Sequence, residues 1–501
     1  TVNDAGYFSA KGLRVGGPYQ IIVDSTKFED QLIENVYLSL GADYPVNVQL
    51  KAPSDIEQIV VTGRPISQMS GGTGPAATFT LENLQEAPAI NRDLRDIVRA
   101  DPRVYVDESR GAIQCGGGNP RFNSLTLDGV RMNDNFGLSS NGYPTVRAPF
   151  SFDSIDQVAV ELAPFDVQYG GFTSCNINAV TKSGGNEIHG GMFYDYTNDS
   201  MKGDSIEGED VDNGDYSEKR YGFHVGMPLI EDSLFLFTSY EKLEGVEQFS
   251  YSALNRTVSQ TDLDRIIAIT KDKYNYDPGT MVPSMPVEDE KLLVKLDWNI
   301  NDSHRANIVY NWNDGFRLSQ SDQASDELPL SNHFYEQGAE MTSIVASVYS
   351  DWTDELSTEV RIGKTDLDGR QQSLDAASGF GEFQITTADD GTVYIGPDDS
   401  RQANDLDWDN FTLKLAGTYY LDEHTITAGY EFEELNVFNL FMQHTQGEYR
   451  FSSIEDYENG AAYSYYNNAA GTNNQNDVAA SFSYALHTFY VQDEYAFSDI
   501  D

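Results

Sequence analysis

Cysteine and positive charge are both scarce in this 501-residue chain, which has two Cys and 32 Lys and Arg against 80 Asp and Glu. Two cysteines are too few for a disulfide scaffold, and Cys115 and Cys175 lack the C-x-x-C spacing of metal and redox sites. The formal net charge of −48 repels the phosphates of nucleic acids, so DNA and RNA are not expected as partners.

Motifs of catalysis and cofactor binding are also missing. The sequence has no G-x-S-x-G elbow, P-loop, H-E-x-x-H or dinucleotide fingerprint. Its 7 His are scattered without metal-ligand spacing, and the acidic residues at 209–215 miss the spacing of an EF-hand. We therefore expect no catalytic residue, no metal site and no cofactor, and an enzyme is disfavoured.

Long apolar runs are absent as well, since no stretch approaches the ~18 consecutive residues of a transmembrane helix. A barrel strand needs only about ten alternating residues, which a mean hydropathy of −0.47 averages away. Aromatic residues make up 12% of the chain and oppose the disorder that the high charge would otherwise favour. Folded β-structure with acidic loops accommodates both features.

Apolar and polar residues alternate in about ten runs after residue 187. In the clearest run, Leu292, Val294 and Leu296 point to one face, while Lys295 and Asp297 point to the other. Tight turns alternate with long acidic connections near residues 200–218, 245–288, 369–408 and 442–478. Short turns on one side and long loops on the other are typical of outer-membrane barrels, but soluble sandwiches and propellers also alternate.

Several stretches resemble a known family. They are RFNSLTLDGV at 121–130, SIDQVAV at 154–160, YGGF at 169–172 and NAVTKSGGNEIHGGMFYDY from residue 178. Together they resemble the plug of TonB-dependent outer-membrane receptors, and most closely the Oar-like subfamily. GYFSAKGLRVGGPYQIIVD at 6–24 is similar to the carboxypeptidase regulatory-like domain, which that subfamily also carries.

The resemblance implies a mainly β protein with four segments. They are a truncated carboxypeptidase regulatory-like β-sandwich at 1–51, a linker at 52–80, a small α/β plug domain at 81–187 and barrel strands at 188–501. A plugged transporter barrel has about 22 strands, so about ten strands would be the N-terminal part of a transmembrane β-barrel. Both ends of the chain are accordingly expected to be cut.

Ten residues carry the plug motif, namely Arg121, Asn123, Asp128, Gly129, Gly170, Gly171, Asn178, Thr181, Lys182 and Gly184. Asp128-Gly129 is a turn signal, because Gly adopts positive φ without strain. The pairs Gly170-Gly171 and Gly184-Gly185 allow sharp bends and a close approach of the backbone. Pairing of Arg121 with Asp128 would satisfy both charges inside a barrel lumen, and a routine turn or surface pair is the alternative.

A short apolar patch in the linker resembles a TonB box; it consists of Ile56, Glu57, Gln58, Ile59, Val60, Val61 and Thr62. An extended, β-prone segment on a flexible linker can add a strand to the sheet edge of a partner. The alternative is an ordinary first strand of the plug. The patch follows a folded domain instead of lying at a free terminus, which departs from the family's pattern.

The resemblance also implies a location and a function. The protein would be a non-enzymatic receptor of the bacterial outer membrane that imports an extracellular substrate with energy from TonB and its inner-membrane complex. Implied partners are TonB, membrane lipid and a peptide, oligosaccharide or metal chelate. An oxidising periplasm favours a Cys115–Cys175 disulfide over two buried free thiols. A surface adhesin or carbohydrate-binding β-protein is the alternative class.

Overall fold

The structure, a computed structural model, describes most of the chain from residue 92 to residue 495. Before that range it describes residues 15–25, 28, 30–38, 76–79 and a few single positions; within it, residues 109, 138, 163–165, 204, 207, 211–213 and 422 are not covered. The first elements are the antiparallel strands β1 (Gly16–Val23) and β2 (Gln31–Leu38). The rest of the expected β-sandwich lies largely outside the described residues.

A small five-stranded sheet, here called the plug sheet, follows in the order β3-β8-β9-β6-β7. Its strands are β3 (Ala76–Phe79), β6 (Ser124–Leu127), β7 (Val130–Arg131), β8 (Ile155–Glu161) and β9 (Asn176–Thr181). A separate hairpin consists of β4 (Val104–Asp107) and β5 (Ala112–Cys115). Because β3 pairs with β8, the plug sheet begins inside the segment that the sequence assigned to the linker.

One short helix, α1 (Leu94–Val98), precedes the hairpin. The side chain of Asp93 accepts a hydrogen bond from the backbone N–H of Arg95, and Asp96 completes a capping box. Leu94, Ile97 and Val98 are buried, so the helix packs one apolar stripe into the core below the plug sheet.

Ten antiparallel strands form the largest sheet, here called the wall. In spatial and chain order they are β10 (His189–Asn198), β13 (Ser217–Ile230), β14 (Leu234–Gln248), β15 (Ser284–Asn301), β16 (His304–Ser319), β18 (Tyr335–Asp351), β19 (Leu356–Arg370), β22 (Asn404–Leu421), β23 (His424–Phe441) and β26 (Ala480–Tyr495). Each strand pairs with the next, as in an up-and-down barrel. The expectation of a mainly β protein with about ten barrel strands is confirmed.

The inner face of the wall is polar and its outer face is apolar, which is the reverse of the arrangement in a soluble sandwich. Along β15, Lys295 and Asp297 are 4% and 5% exposed and lie on the inner face, which bears the plug sheet. Trp298 on the same strand and Ile308 on β16 are 49% and 50% exposed and lie on the outer face. Apolar side chains on the outside and polar ones inside match a membrane barrel, and a soluble sandwich would show the opposite.

The apolar outer face ends in a row of carboxylates. Glu290, Asp314, Glu340 and Asp368 are neighbours in register on four successive strands. They lie on the side of the long connections and mark where the apolar band gives way to polar surroundings. Among the described residues, no helix combines the length and the apolar composition that crossing a membrane requires.

Connections at the two ends of the wall differ greatly in length. Residues 231–233, 302–303 and 352–355 form tight turns at one end. At the other end, residues 249–283, 320–334, 371–403 and 442–479 form long connections. The asymmetry that the sequence predicted is therefore present, and barrels of this kind place their long connections outside the cell.

The long connections fold together into a compact unit, here called the loop domain. Its sheet has the order β17-β21-β20-β24-β25, and its two helices lie against that sheet. The elements are α2 (Gln260–Tyr274), β17 (Glu327–Pro329), β20 (Glu382–Thr386), β21 (Thr392–Ile395), β24 (Glu448–Phe451), α3 (Ile454–Asn459) and β25 (Ser464–Tyr466). A two-stranded ribbon, β11 (Ser205–Ile206) and β12 (Glu209–Asp210), lies in another connection.

The loop domain has an apolar core of its own. Ile266 of α2, Ile385 of β20, Val393 of β21 and Tyr457 of α3 are all fully buried. The sequence predicted solvated acidic loops in these positions, and for the described parts of the connections this expectation is wrong. Three of its acidic residues, Glu382, Asp398 and Glu448, are themselves buried, and its apolar residues come from separate connections and meet only in the fold.

Candidate functional site

The turn between β6 and β7 brings the plug sheet to the wall. Asp128 and Gly129 adopt φ of 48° and 79°, a pair of positive values that tight hairpin turns favour. The carbonyl oxygen of Gly129 accepts a hydrogen bond of 2.9 Å from Nη1 of Arg361 on β19. A Cβ atom at Gly129 would lie 2.1 Å from that nitrogen, so a larger residue would displace the Arg361 guanidinium, and the positive φ itself favours glycine.

Thr181 joins this turn to a buried lysine of the wall. Its backbone N–H and hydroxyl donate to the Asp128 carboxylate at 3.0 and 2.6 Å. On the other side, Nζ of Lys295 donates to the carbonyl and hydroxyl oxygens of Thr181 at 3.2 and 3.0 Å. Plug and wall are thus connected by a chain of polar contacts in a region with little access to water.

A network of buried charges forms a second contact. Nζ of Lys291 lies 2.8 Å from Oδ2 of Asp289 and 3.9 Å from Oε1 of Glu241, all on wall strands. Arg147, between the plug strands β7 and β8, lies 3.8 Å from Asp289 and 3.9 Å from Asp93. Charges of alternating sign neutralise one another where desolvation would otherwise be costly.

Apolar contacts complete this interface. Phe237 and Leu293 on the inner face of the wall belong to the same buried cluster as Val158, Val160 and Ile177 of the plug sheet. The plug therefore does not have a closed core of its own, because part of its apolar surface is covered by the wall. Each apolar side chain buried in this way contributes about 1.5–3 kcal/mol to folding.

Other plug-motif residues form hydrogen bonds within the plug. Nδ2 of Asn123 donates to the carbonyl oxygen of Ile113 at 2.7 Å, and Oδ1 of Asn178 accepts from the Thr126 hydroxyl at 2.8 Å. The backbone N–H of Lys182 donates to the carbonyl oxygen of Ser154 at 2.8 Å. These residues hold plug elements together and do not reach the wall through these bonds.

The expected pairing of Arg121 with Asp128 is wrong. Nη2 of Arg121 donates to the carbonyl oxygen of Gly137, whereas Asp128 is engaged by Thr181. Thr181, which engages the Asp128 carboxylate, is the last residue of β9 and lies 53 residues away in the sequence.

The remaining glycines of the motif differ in what they require. Gly184 approaches the wall so closely that a Cβ atom would lie 2.5 Å from the carbonyl oxygen of Leu236. Gly171 adopts a φ of 76° beside the guanidinium of Arg131, whereas a Cβ atom at Gly170 would meet nothing within 4 Å. The contact at Gly184 is the tightest backbone approach of this group to the wall.

A disulfide joins Cys115, at the end of β5, to Cys175, directly before β9. It ties the β4–β5 hairpin to the plug sheet, and both sulfur-bearing residues are buried. The TonB-box candidate at 56–62 lies outside the described residues. Of the acidic stretch at 209–215, the described part includes strand β12.

The loop domain contains a fully buried histidine. Nε2 of His333 lies 2.9 Å from Oδ2 of Asp322, and Nδ1 lies 3.0 Å from the carbonyl oxygen of Gly396. Burial alone would lower the pKa of His333, but the hydrogen bond to Asp322 and the nearby Glu382 and Asp398 carboxylates raise it to about 9. Both ring nitrogens therefore donate, and His333 is a buried cation at neutral pH.

This buried cation makes the loop domain sensitive to alkali. The folded-state pKa of about 9 lies above the ordinary value of 6.5, so the stability from His333 is complete below pH 6.5 and is lost as the pH rises through 9. We expect amide hydrogen exchange in β20 and β21, corrected for its intrinsic pH dependence, to accelerate over this window in the full-length protein. Exchange in wall strands serves as the internal reference, and equal acceleration in both would contradict the assignment.

A second histidine lies nearby with two carboxylates. Nδ1 of His444 is 3.0 Å from Oδ2 of Asp399 and 3.0 Å from Oε2 of Glu448. This group was not predicted from the sequence, because Asp399 is 45 residues from His444 and comes from a different connection. The four-residue spacing of His444 and Glu448 was the only local signal, and it is weak outside a helix.

Comparisons with known proteins show what the wall resembles. Residues 180–285 match the family described as outer membrane beta barrel domain. The TonB-dependent transporter Oar of Myxococcus xanthus is 21% identical over 316 residues, which cover 59% of this chain and 28% of that protein. The outer-membrane location expected from the sequence is confirmed by these similarities.

Solved structures show the same fold. The outer membrane transporter YddB from Escherichia coli superposes with a TM-score of 0.61 at 12% identity, over 86% of this chain and 56% of that chain. A ferric enterobactin receptor from Pseudomonas aeruginosa gives a TM-score of 0.52 at 14% identity, over 85% of this chain and 56% of its own. The chain thus spans little more than half the length of these relatives. These relatives are described as transporters and a receptor, which agrees with the expectation that the chain is not an enzyme.

Proposed function

We propose that this chain, a relative of the TonB-dependent outer-membrane transporters, binds an extracellular substrate and admits it to the periplasm with energy relayed by TonB. The observation that carries the proposal is the plug sheet seated on the polar inner face of the wall. Ion pairs and hydrogen bonds such as Lys295–Thr181 can be exchanged for water. A plug held in this way is stable at rest and can still be displaced by a pull.

Charge narrows the class of substrate. Three of the four long connections that build the loop domain have more acidic than basic residues, in a chain of net charge −48. Such a field repels anions and attracts cations at the point of entry. Among a peptide, an oligosaccharide and a metal chelate, we therefore favour a neutral or cationic peptide or oligosaccharide over an anionic chelate.

The TonB box provides the direct test. Neighbouring residues of a strand point their N–H groups in opposite directions, so either Ile59→Pro or Val60→Pro must remove a hydrogen bond to the added partner strand. We expect at least one of them to weaken capture by the purified TonB C-terminal domain by about tenfold or more, because a hydrogen bond is lost and the proline ring clashes. Gln68→Pro, in the same linker but outside the box, is the matched control.

Import is measured in parallel in cells that carry each variant. Cells whose variant no longer binds TonB should also fail to grow on the imported peptide or oligosaccharide. Heat-modifiable gel migration shows that the barrel still forms in these variants. If both box variants still bind TonB and support growth, the box assignment is rejected. If substrate binds at the surface but is never imported by the unaltered protein, an adhesin describes the chain better.

A further inference from the structure

Asp399, His444 and Glu448 converge on one point in the loop domain. The side chains are 19%, 18% and 2% exposed, and one ligand atom from each lies within 4.8 Å of the other two. Asp399 comes from the connection between β19 and β22, and the other two come from the connection between β23 and β26. The group therefore bridges two connections that are separate in sequence.

The contacts from the His444 ring to the two carboxylates lie at ion-pair distance and do not have hydrogen-bond geometry. Nδ1 of His444 is buried and has no hydrogen-bond partner among the described residues, although two carboxylate oxygens lie 3.0 Å away. Donor atoms about 2.1 Å from one tetrahedral Zn²⁺ ion are about 3.4 Å apart. Movements of a few tenths of an ångström would therefore place the His444 nitrogen and the two carboxylate oxygens around a common cation.

Neighbouring groups orient the two carboxylates. Oε1 of Glu448 accepts hydrogen bonds from Arg450 and from Gln384, which leaves Oε2 directed at His444. Oδ1 of Asp399 accepts from the Ser400 hydroxyl at 3.2 Å, which leaves Oδ2 directed at the same point. Metal-binding carboxylates are commonly fixed in this manner by outer partners.

The other histidine of the loop domain provides a contrast. Both nitrogens of His333 are already engaged, by Asp322 and by the carbonyl oxygen of Gly396. The third member of that group, Asp398, accepts two hydrogen bonds from Arg401. His333 thus sits in a completed hydrogen-bond network, and His444 does not.

The geometry points to a binding site for a divalent transition-metal ion formed by Asp399, His444 and Glu448. One imidazole nitrogen with two carboxylates suits Zn²⁺, whereas Mg²⁺ and Ca²⁺ prefer oxygen ligands alone. The three side chains also line a cavity of about 580 Å³, which leaves room for water or a substrate group as further ligands. A bound ion would cross-link the two connections and secure the loop domain.

Titration with Zn²⁺ tests the site. Tag-free, full-length protein in detergent is titrated in a calorimeter, and one ion per chain is expected. Glu448→Gln and His444→Gly should each raise the dissociation constant for Zn²⁺ by more than about 10- to 100-fold, the loss typical of even an outer partner. Glycine is chosen because His444 adopts a φ of 56°.

His424→Asn is the matched control, because His424 faces the Asp493 carboxylate at 2.8 Å but belongs to no three-ligand group among the described residues. It should bind Zn²⁺ as the unaltered protein does. Addition of Zn²⁺ should slow protease digestion of the loop domain in the unaltered protein and in His424→Asn, but not in the two site variants. Absence of saturable binding in the unaltered protein, or an affinity in both site variants equal to that of the unaltered protein, would overturn the proposal. The titration measures Zn²⁺ binding and not transport, so the test of the metal site remains valid even if the protein imports nothing.

Discussion

Lys291→Met is expected to destabilise the folded protein by about 3–5 kcal/mol, because it leaves buried carboxylates without their closest cation. Lys291 is 4% exposed, and Nζ lies 2.8 Å from Asp289 and 3.9 Å from Glu241. Arg147 approaches Asp289 only to 3.8 Å, and Asn313 donates a hydrogen bond of 2.7 Å to it, so neither replaces the lost charge. The unfolding midpoint in denaturant, with the protein in lipid or detergent, measures the effect.

Lys271→Met is the matched control for this prediction. Lys271 and Asp277 form an ion pair in the loop domain, outside the wall, and Nζ of Lys271 lies 3.2 Å from Oδ1 of Asp277. Their side chains are 48% and 72% exposed, so solvent already screens the pair and its loss should not shift the midpoint measurably. Equal shifts in Lys291→Met and Lys271→Met would show that burial does not set the strength of these ion pairs.

Removing the disulfide should loosen the plug without opening the wall. Cys115 and Cys175 are 60 residues apart, and cross-linking a loop of that length is worth roughly 4 kcal/mol by chain-entropy reasoning. The double variant Cys115→Ser with Cys175→Ser should therefore raise the opening equilibrium of the plug by roughly three orders of magnitude. Limited proteolysis of full-length protein measures this opening as cleavage within residues 92–187.

The wall provides the internal control for the disulfide variant. Its strands should retain their heat-modifiable migration and their resistance to protease, since neither cysteine lies on a wall strand. Cleavage rates within tenfold of the unaltered protein would mean that the wall and the hydrogen bonds of the plug sheet hold the plug without the cross-link.

Local patterns in the sequence predicted the wall well. Period-two alternation is a property of each strand by itself, so Leu292, Val294 and Leu296 could be assigned to one face before any partner strand was known. The Asp128-Gly129 turn was equally local, since the dipeptide is a turn signal and Gly129 adopts the positive φ expected of it. The direction of each face also followed, once the runs were interpreted as barrel strands.

The loop domain could not be predicted in the same way. Its sheet strands are three to five residues long, too short to show a period. Two of its pairings, β17 with β21 and β20 with β24, are parallel and join different connections. The metal site shares this origin, because Asp399 meets His444 only through such long-range pairing.

The pairing of Arg121 with Asp128 failed for a related reason. The sequence shows that two opposite charges lie seven residues apart, but it does not show where a turn directs a side chain. Here the backbone of Asp128 aims its carboxylate at Thr181, which is 53 residues away. The sequence alone gives neither the conformation of the Asp128 side chain nor the residue that the fold brings next to it, which is Thr181.

The surface of the loop domain is also what an antibody or a bacteriophage would bind on an intact cell. Its surface is assembled from four stretches of chain that are separated by wall strands. Antisera raised against a peptide from one stretch should bind denatured protein on a blot and fail to stain intact cells. Antibodies raised against the folded protein should behave in the opposite way, because their epitopes exist only where the stretches meet.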